Sequence, residues 1–145
     1  MKKIILFSLA PFLFACNTAK INNPTNQNLT VTEKYWKLIE INGEKVTAGN
    51  FVKEPHFILK SNDNRIIGNS SCNSFSSTYV LDTKTNRISF SQMISTEMAC
   101  IKPTVEEAFL HILETTDNYS VKNDTLQLNK ARMAPLAKFV AVYLK

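Results

Sequence analysis

The run Tyr35-Trp36-Lys37-Leu38-Ile39-Glu40-Ile41, followed at once by Asn42-Gly43, constrains the fold of this chain more than any other stretch. Its side chains alternate, with Trp36 and Leu38 on one side and Tyr35, Ile39 and Ile41 on the other, which is the two-residue period of a strand. Asn-Gly then supplies two residues that accept positive φ, as a type I′ turn requires, so the chain is expected to fold straight back through residues 44–46. The pattern recurs. Residues 56–60 and 65–68 flank a polar turn at 61–64, residues 78–81 and 87–90 flank another at 82–86, and residues 119–121, 126–128 and 136–144 read as three more strands, with Asn123-Asp124 as a turn. Short strands joined by polar turns predict an antiparallel meander.

One segment departs from that rhythm. Thr104 followed by Glu107 forms a capping box, in which hydroxyl and carboxylate each satisfy an amide left open by the first turn. Val105, Ala108, Phe109, Ile112 and Leu113 then recur at helical spacing. An amphipathic helix over 104–115 is expected, with Glu106, Glu107, Glu114 and His111 off its apolar face. The fold class is α+β.

The N-terminus bears on the compartment. Met1-Lys2-Lys3 is basic, residues 4–14 are apolar but for Ser8 and Pro11, and small Ala15 precedes Cys16. Residues 1–15 read as a secretory signal, too short to cross about 30 Å of hydrocarbon as a helix. Leu13-Phe14-Ala15-Cys16 resembles a bacterial lipobox, so Cys16 is expected to become the acylated first residue. An ordinary cleaved signal with an incidental cysteine and a retained anchor helix are the alternatives. Lipid contributes roughly 0.8 kcal/mol per buried CH₂, so multiple acylation at Cys16 would hold the protein on a membrane without a transmembrane segment. Residues 16–32, rich in Asn and Thr and without an aromatic residue, read as a tether, leaving 33–145 as one domain. With no Asp directly after Cys16, the expected location is the periplasmic face of the outer membrane.

Loss of residues 1–15 removes two lysines and no acid, so the formal charge falls from +5 to 5 − 2 = +3. The basic residues are scattered, which argues against nucleic acid as a partner. Nothing in the pattern demands association, and a monomer is expected.

Cys72 and Cys100 remain after Cys16, an even number in an oxidising compartment, and are read as a disulfide. Closing that loop would restrict the unfolded chain by roughly 3.5 kcal/mol. Two buried free thiols are the alternative. A nucleophilic cysteine would need a base, and His56 and His111 lie in no recognisable motif. Two isolated Cys and two isolated His also fall short of the paired ligands of a zinc site. Ser70, Ser71, Ser74, Ser76 and Ser77 lack the GxSxG pattern of a nucleophile elbow and read as a solvated turn. No catalytic residue, metal or cofactor is expected.

Trp36-x-Leu38, Gly68-x-x-x-Cys72-Asn73-x-Phe75, Thr96-x-Met98-Ala99-Cys100, Glu106-x-x-Phe109 and Leu126-x-Leu128, in that order, resemble the META domain of HslJ-like proteins. The resemblance implies an antiparallel sheet curled like a barrel around its core, with a helix packed on it. It also implies an envelope lipoprotein linked to heat shock, antibiotic tolerance or virulence, with no catalytic residues to carry over. Trp36, Gly68, Cys72, Asn73, Phe75, Thr96, Met98 and Cys100 therefore enter as structural signature residues. Gly68 would permit close backbone approach, and Asn73 would bond its own backbone in a turn. The expected function is a non-catalytic module that binds a partner protein or an apolar ligand in envelope stress. A thiol-disulfide redox module or enzyme using Cys72 and Cys100 is the alternative.

Overall fold

The computed structural model describes residues 30–99 and 103–143. The signal, Cys16, most of the tether and Cys100 lie outside the described residues. The elements are β1 (Tyr35–Ile41), β2 (Glu44–Lys45), β3 (His56–Lys60), β4 (Arg65–Asn69), β5 (Ser74–Asp82), β6 (Arg87–Phe90), β7 (Ile94–Ser95), α1 (Pro103–Thr115), β8 (Asn118–Lys122), β9 (Thr125–Asn129) and β10 (Ala137–Val142). The expected strands are all present. The Asn-Gly turn has φ of 48° at Asn42 and 85° at Gly43, as its type requires.

Eight strands close into an antiparallel barrel. β1, β3, β4, β5, β6, β8, β9 and β10 follow one another around the wall, and β10 pairs back on β1 from Tyr35↔Val142 to Ile41↔Ala137. The short β2 and β7 lie along β1 and β5. Because successive strands reverse direction, the connections sort onto two rims. One rim holds the chain entry before Tyr35 and the turns at 61–64, 83–86 and 123–124. The other holds the longer connections 42–55, 91–117 and 130–136, together with the loop 70–73.

Alternation along the strands sends Trp36 and Leu38, Phe57 and Leu59, Phe75 and Tyr79, Leu126 and Leu128, and Phe139 inward, all buried. An eight-stranded barrel is just wide enough for side chains to fill it or for one small ligand. This one is filled by side chains. Phe109 of α1 is fully buried, with its ring 5.7 Å from Phe75 and 5.8 Å from Phe139. β5 and β10 stand four strands apart in either direction, so these rings come from opposite walls. Phe109 therefore wedges the helix into the longer-loop rim and closes it.

The helix departs from expectation at one acid. Glu106 is buried at 7% exposure rather than lying off the apolar face. The spacing i, i+3, i+7 places Glu106, Phe109 and Leu113 on one stripe of the helix. Glu107, His111 and Glu114 are exposed as expected. The helix begins at Pro103, one residue early, and the Thr104 side chain with its capping box lies outside the described residues.

At the opposite rim, residues just before β1 belong to the core. Val31, on the tether side of residue 33, is 2% exposed, and its carbonyl accepts the indole N–H of Trp36 at 2.7 Å. Glu33 N–H donates to the Leu59 carbonyl, and its carboxylate accepts from Lys60 Nζ, Ser61 N and Ser61 Oγ. These four bonds fasten the chain entry across β3.

Candidate functional site

The signature residues form a clamp. Asn73 Oδ1 accepts from Thr96 Oγ1 at 2.7 Å and from Met98 N at 2.8 Å, while Asn73 Nδ2 donates to the Met98 carbonyl at 3.1 Å. One amide thus binds both faces of residues 96–98. The local turn expected of Asn73 uses its backbone instead, whose carbonyl accepts Ser70 N and Ser70 Oγ. Cys72 is 5% exposed with its Sγ 3.9 Å from the Met98 carbonyl. Its expected partner, Cys100, lies outside the described residues.

Of the serine-rich run, Ser74 at the start of β5 is exposed, but the turn before it is not solvated. Ser70 and Ser71 are fully buried. Ser71 holds a φ of 141°, a left-handed conformation uncommon for a residue with Cβ. Its neighbours hold it there: Ser71 N donates to Asn69 Oδ1, Ser71 Oγ accepts Val52 N, and its carbonyl accepts Lys53 N at 2.6 Å. Gly68 confirms the close approach expected of it. A Cβ there would meet the His56 carbonyl at 2.2 Å and the Phe75 ring at 2.8 Å.

Beside this clamp, on the outer wall of β1, β3, β4 and β5, lies an open groove of about 510 Å³. Register builds its floor. Ile58 pairs with Ile67, giving an apolar row, and His56, Asn69 and Ser74 follow one another as a polar row two residues on. Tyr35 stacks on His56, with ring centroids 4.3 Å apart and planes 15° from parallel. Glu54 ties this pair down. Its carboxylate accepts the Tyr35 hydroxyl at 3.2 Å and Lys37 Nζ at 2.5 Å, and its carbonyl lies 2.8 Å from His56 Nδ1. A ring nitrogen facing a carbonyl must donate, so Nδ1 carries the proton. Burial, helped by the Glu54 charge and hydrogen bond, pushes the Tyr35 hydroxyl up to about 12, so Tyr35 stays a neutral donor.

Sequence reasoning named His56 only as a residue outside any motif, and it did not single out Tyr35, Glu54 or Asn69. Tyr35 and His56 meet through the pairing of Trp36 with Phe57, and Asn69 joins through the pairing of β3 with β4. The outward phase of His56 and Ile58 was the available signal. Among the described residues no group of three His, Cys, Asp or Glu side chains gathers as a metal site would require.

The META domain family profile matches residues 27–143. The chain belongs to the META domain family. Solved structures share the fold of this META chain. An NMR structure of a protein from Burkholderia xenovorans is 22% identical, with a TM-score of 0.62 over 98% of both chains. A crystal structure of a DUF4847 family protein from Bacteroides vulgatus is 12% identical, with a TM-score of 0.57 over 76% of the META chain and 93% of its own. A further NMR structure is 20% identical, with a TM-score of 0.58 over 76% and 90%. At these identities the likeness is one of fold. Among curated proteins none matches the META chain.

Proposed function

We propose that this META protein is a non-catalytic bacterial envelope module, held to the outer membrane by lipid on Cys16 and engaging a partner protein or apolar ligand during envelope stress. One observation carries the reading: the barrel is filled by its own side chains, and the Asn73 amide is bonded to Thr96 and Met98. That leaves the outer wall for contact. The short basic-apolar leader ending in Leu13-Phe14-Ala15-Cys16 supports the anchor. A Cys72–Cys100 disulfide belongs to the same proposal and is supported by the burial of Cys72 beside Met98, two residues short of Cys100.

Cys16→Ser tests the anchor. Fractionated cells should show the wild type in the membrane pellet and the variant in the soluble fraction; retention of the variant in the pellet would refute the lipid anchor. Alkylation of the oxidised variant followed by mass measurement should find no reactive thiol, and two labelled cysteines would refute the staple.

A further inference from the structure

We infer that the outer edge of β7 is a strand-addition site for an extended basic peptide. The inference rests on the partner-binding reading and deepens it by naming the form and charge of the partner. Among the described strands β7 pairs with β5 alone, through Phe75↔Ser95 and Ser76↔Ile94. Thr96 N–H donates to the Ser74 carbonyl and Met98 N–H to Asn73 Oδ1, so these alternate amides turn towards β5 and the clamp. The residues between them turn the other way. Met93 N–H is met on that outer side by the Glu114 carboxylate at 3.3 Å. Ser95 N–H, the Ser95 carbonyl and Glu97 N–H have no hydrogen-bond partner among the described residues, and both residues are exposed.

A row of open N–H and C=O groups on an extended segment is a template for another strand, and main-chain bonds supply the affinity in strand addition. The Asn73 clamp gives this edge a further advantage. It fastens residues 96–98 from the inner side, so little ordering remains to be lost when a strand arrives. Ile94 is 73% exposed and paired with Ser76. An antiparallel strand with one residue opposite Ser95 sets its next residue opposite Ile94, where an apolar side chain would cover it. Charge selects the occupant. Glu97 lies at one end of the edge and the Glu114 carboxylate at the other, and neither makes an ion pair among the described residues. Lysine or arginine at the two ends of the incoming strand answers both acids. A second copy of this chain answers neither. Paired about Ser95, two copies would set Glu97 of each opposite Met93 of the other, against the Glu114 that holds it.

The probe is the capped peptide Lys-Thr-Thr-Val-Lys, which places lysines opposite Glu97 and Met93 and valine opposite Ile94. It is titrated by NMR into the exported chain carrying Cys16→Ser. The Ser95 and Glu97 amides and the Ile94 methyls should shift saturably. Binding should be about tenfold tighter than that of Glu-Thr-Thr-Val-Glu, and about tenfold tighter than that of the same peptide N-methylated at its central threonine, which loses the donor facing the Ser95 carbonyl. Ser95→Pro removes an N–H that no internal group uses, at an edge position that proline tolerates, and should weaken the lysine peptide about tenfold at nearly unchanged melting temperature. Glu97→Lys alters an exposed side chain and should weaken it about threefold while strengthening the glutamate peptide. Absence of saturable shifts at residues 93–97, equal binding of the N-methylated or the glutamate peptide, or unchanged affinity in both variants would each overturn the inference. So would concentration-dependent shifts at residues 93–97 without peptide, the mark of a second copy on this edge. Peptide shifts confined to another part of the wall would overturn this site and leave the wider partner-binding reading standing, and fractionation of Cys16→Ser reads the anchor alone.

Discussion

The two rims of the barrel are held by different kinds of contact. At the turn rim the three tight turns are held by local constraints, beside the longer-range Glu33 bonds that fasten the chain entry. Asn64, Asn86 and Asn123 take φ of 51°, 54° and 54° in the three tight turns, where a short amide side chain tolerates the left-handed region. At the longer-loop rim the constraints join residues far apart in the chain. Asn73 holds residues 96–98, Ser71 holds Val52 and Lys53, and the Glu114 carboxylate accepts Met93 N–H at 3.3 Å. A local turn survives the loss of a neighbour, but a long-range clamp fails as a unit.

The clamp should therefore show the largest effect. Asn73→Ala removes the acceptor that serves two donors and the amide donor at once, taking these bonds from the Met98 N–H, the Thr96 hydroxyl and the Met98 carbonyl. It should destabilise by about 3 kcal/mol in urea unfolding and raise hydrogen exchange selectively over residues 94–99. A loss below about 1 kcal/mol would mean that the long-range bonds are no more cooperative than the turns. Trp36→Phe acts at the other rim, where it keeps the ring in the core but removes the indole N–H from the Val31 carbonyl. About 1 kcal/mol should be lost, and exchange should rise near residue 31 while residues 94–99 stay protected. Protection lost at both rims would erase the distinction.

The smallest effect concerns pH. The Lys60 hydrogen bond, with those from Ser61 N–H and hydroxyl, holds the Glu33 carboxyl at about 2 against an ordinary 4.5. A folded value below the unfolded one contributes stability that is complete above about 4.5 and is lost as pH falls towards 2. Glu33 is solvent-exposed, so salt will screen part of it. Glu33→Gln should flatten the acid limb of a melting-temperature profile between those values, lowering the melting temperature slightly at pH 7 and leaving it nearly unchanged at pH 2. An unaltered acid limb would mean that Glu33 contributes little to fastening the chain entry.

This difference between rims also marks how far the fold was legible. β1, β3 and β6 fell where alternation predicted them, and the polar turns read correctly, because the signals lie within a few residues. β7 and the 3-10 turn at Ala48–Asn50 did not read, since two or three residues cannot display a period. Ser70 and Ser71 looked solvated because their burial depends on Val52 and Lys53, some twenty positions away. Of the groove, only Tyr35, His56 and Ile58 had a readable phase. Glu106 was misplaced although its spacing from Phe109 and Leu113 was in plain view. The signature cluster was found by resemblance to the family, and its reason, an amide gripping both faces of one segment, lay in the folded geometry.

Tyr35 faces Val142, so the first wall of the barrel is completed by the last. A chain emerging residue by residue can make its hairpins early, but the seam between β1 and β10 has no second side until the C-terminus is free. Until then β1 keeps an open edge available to other chains. Long-range closure of this kind slows folding, so truncation of even the final strand should promote aggregation rather than merely lowering stability.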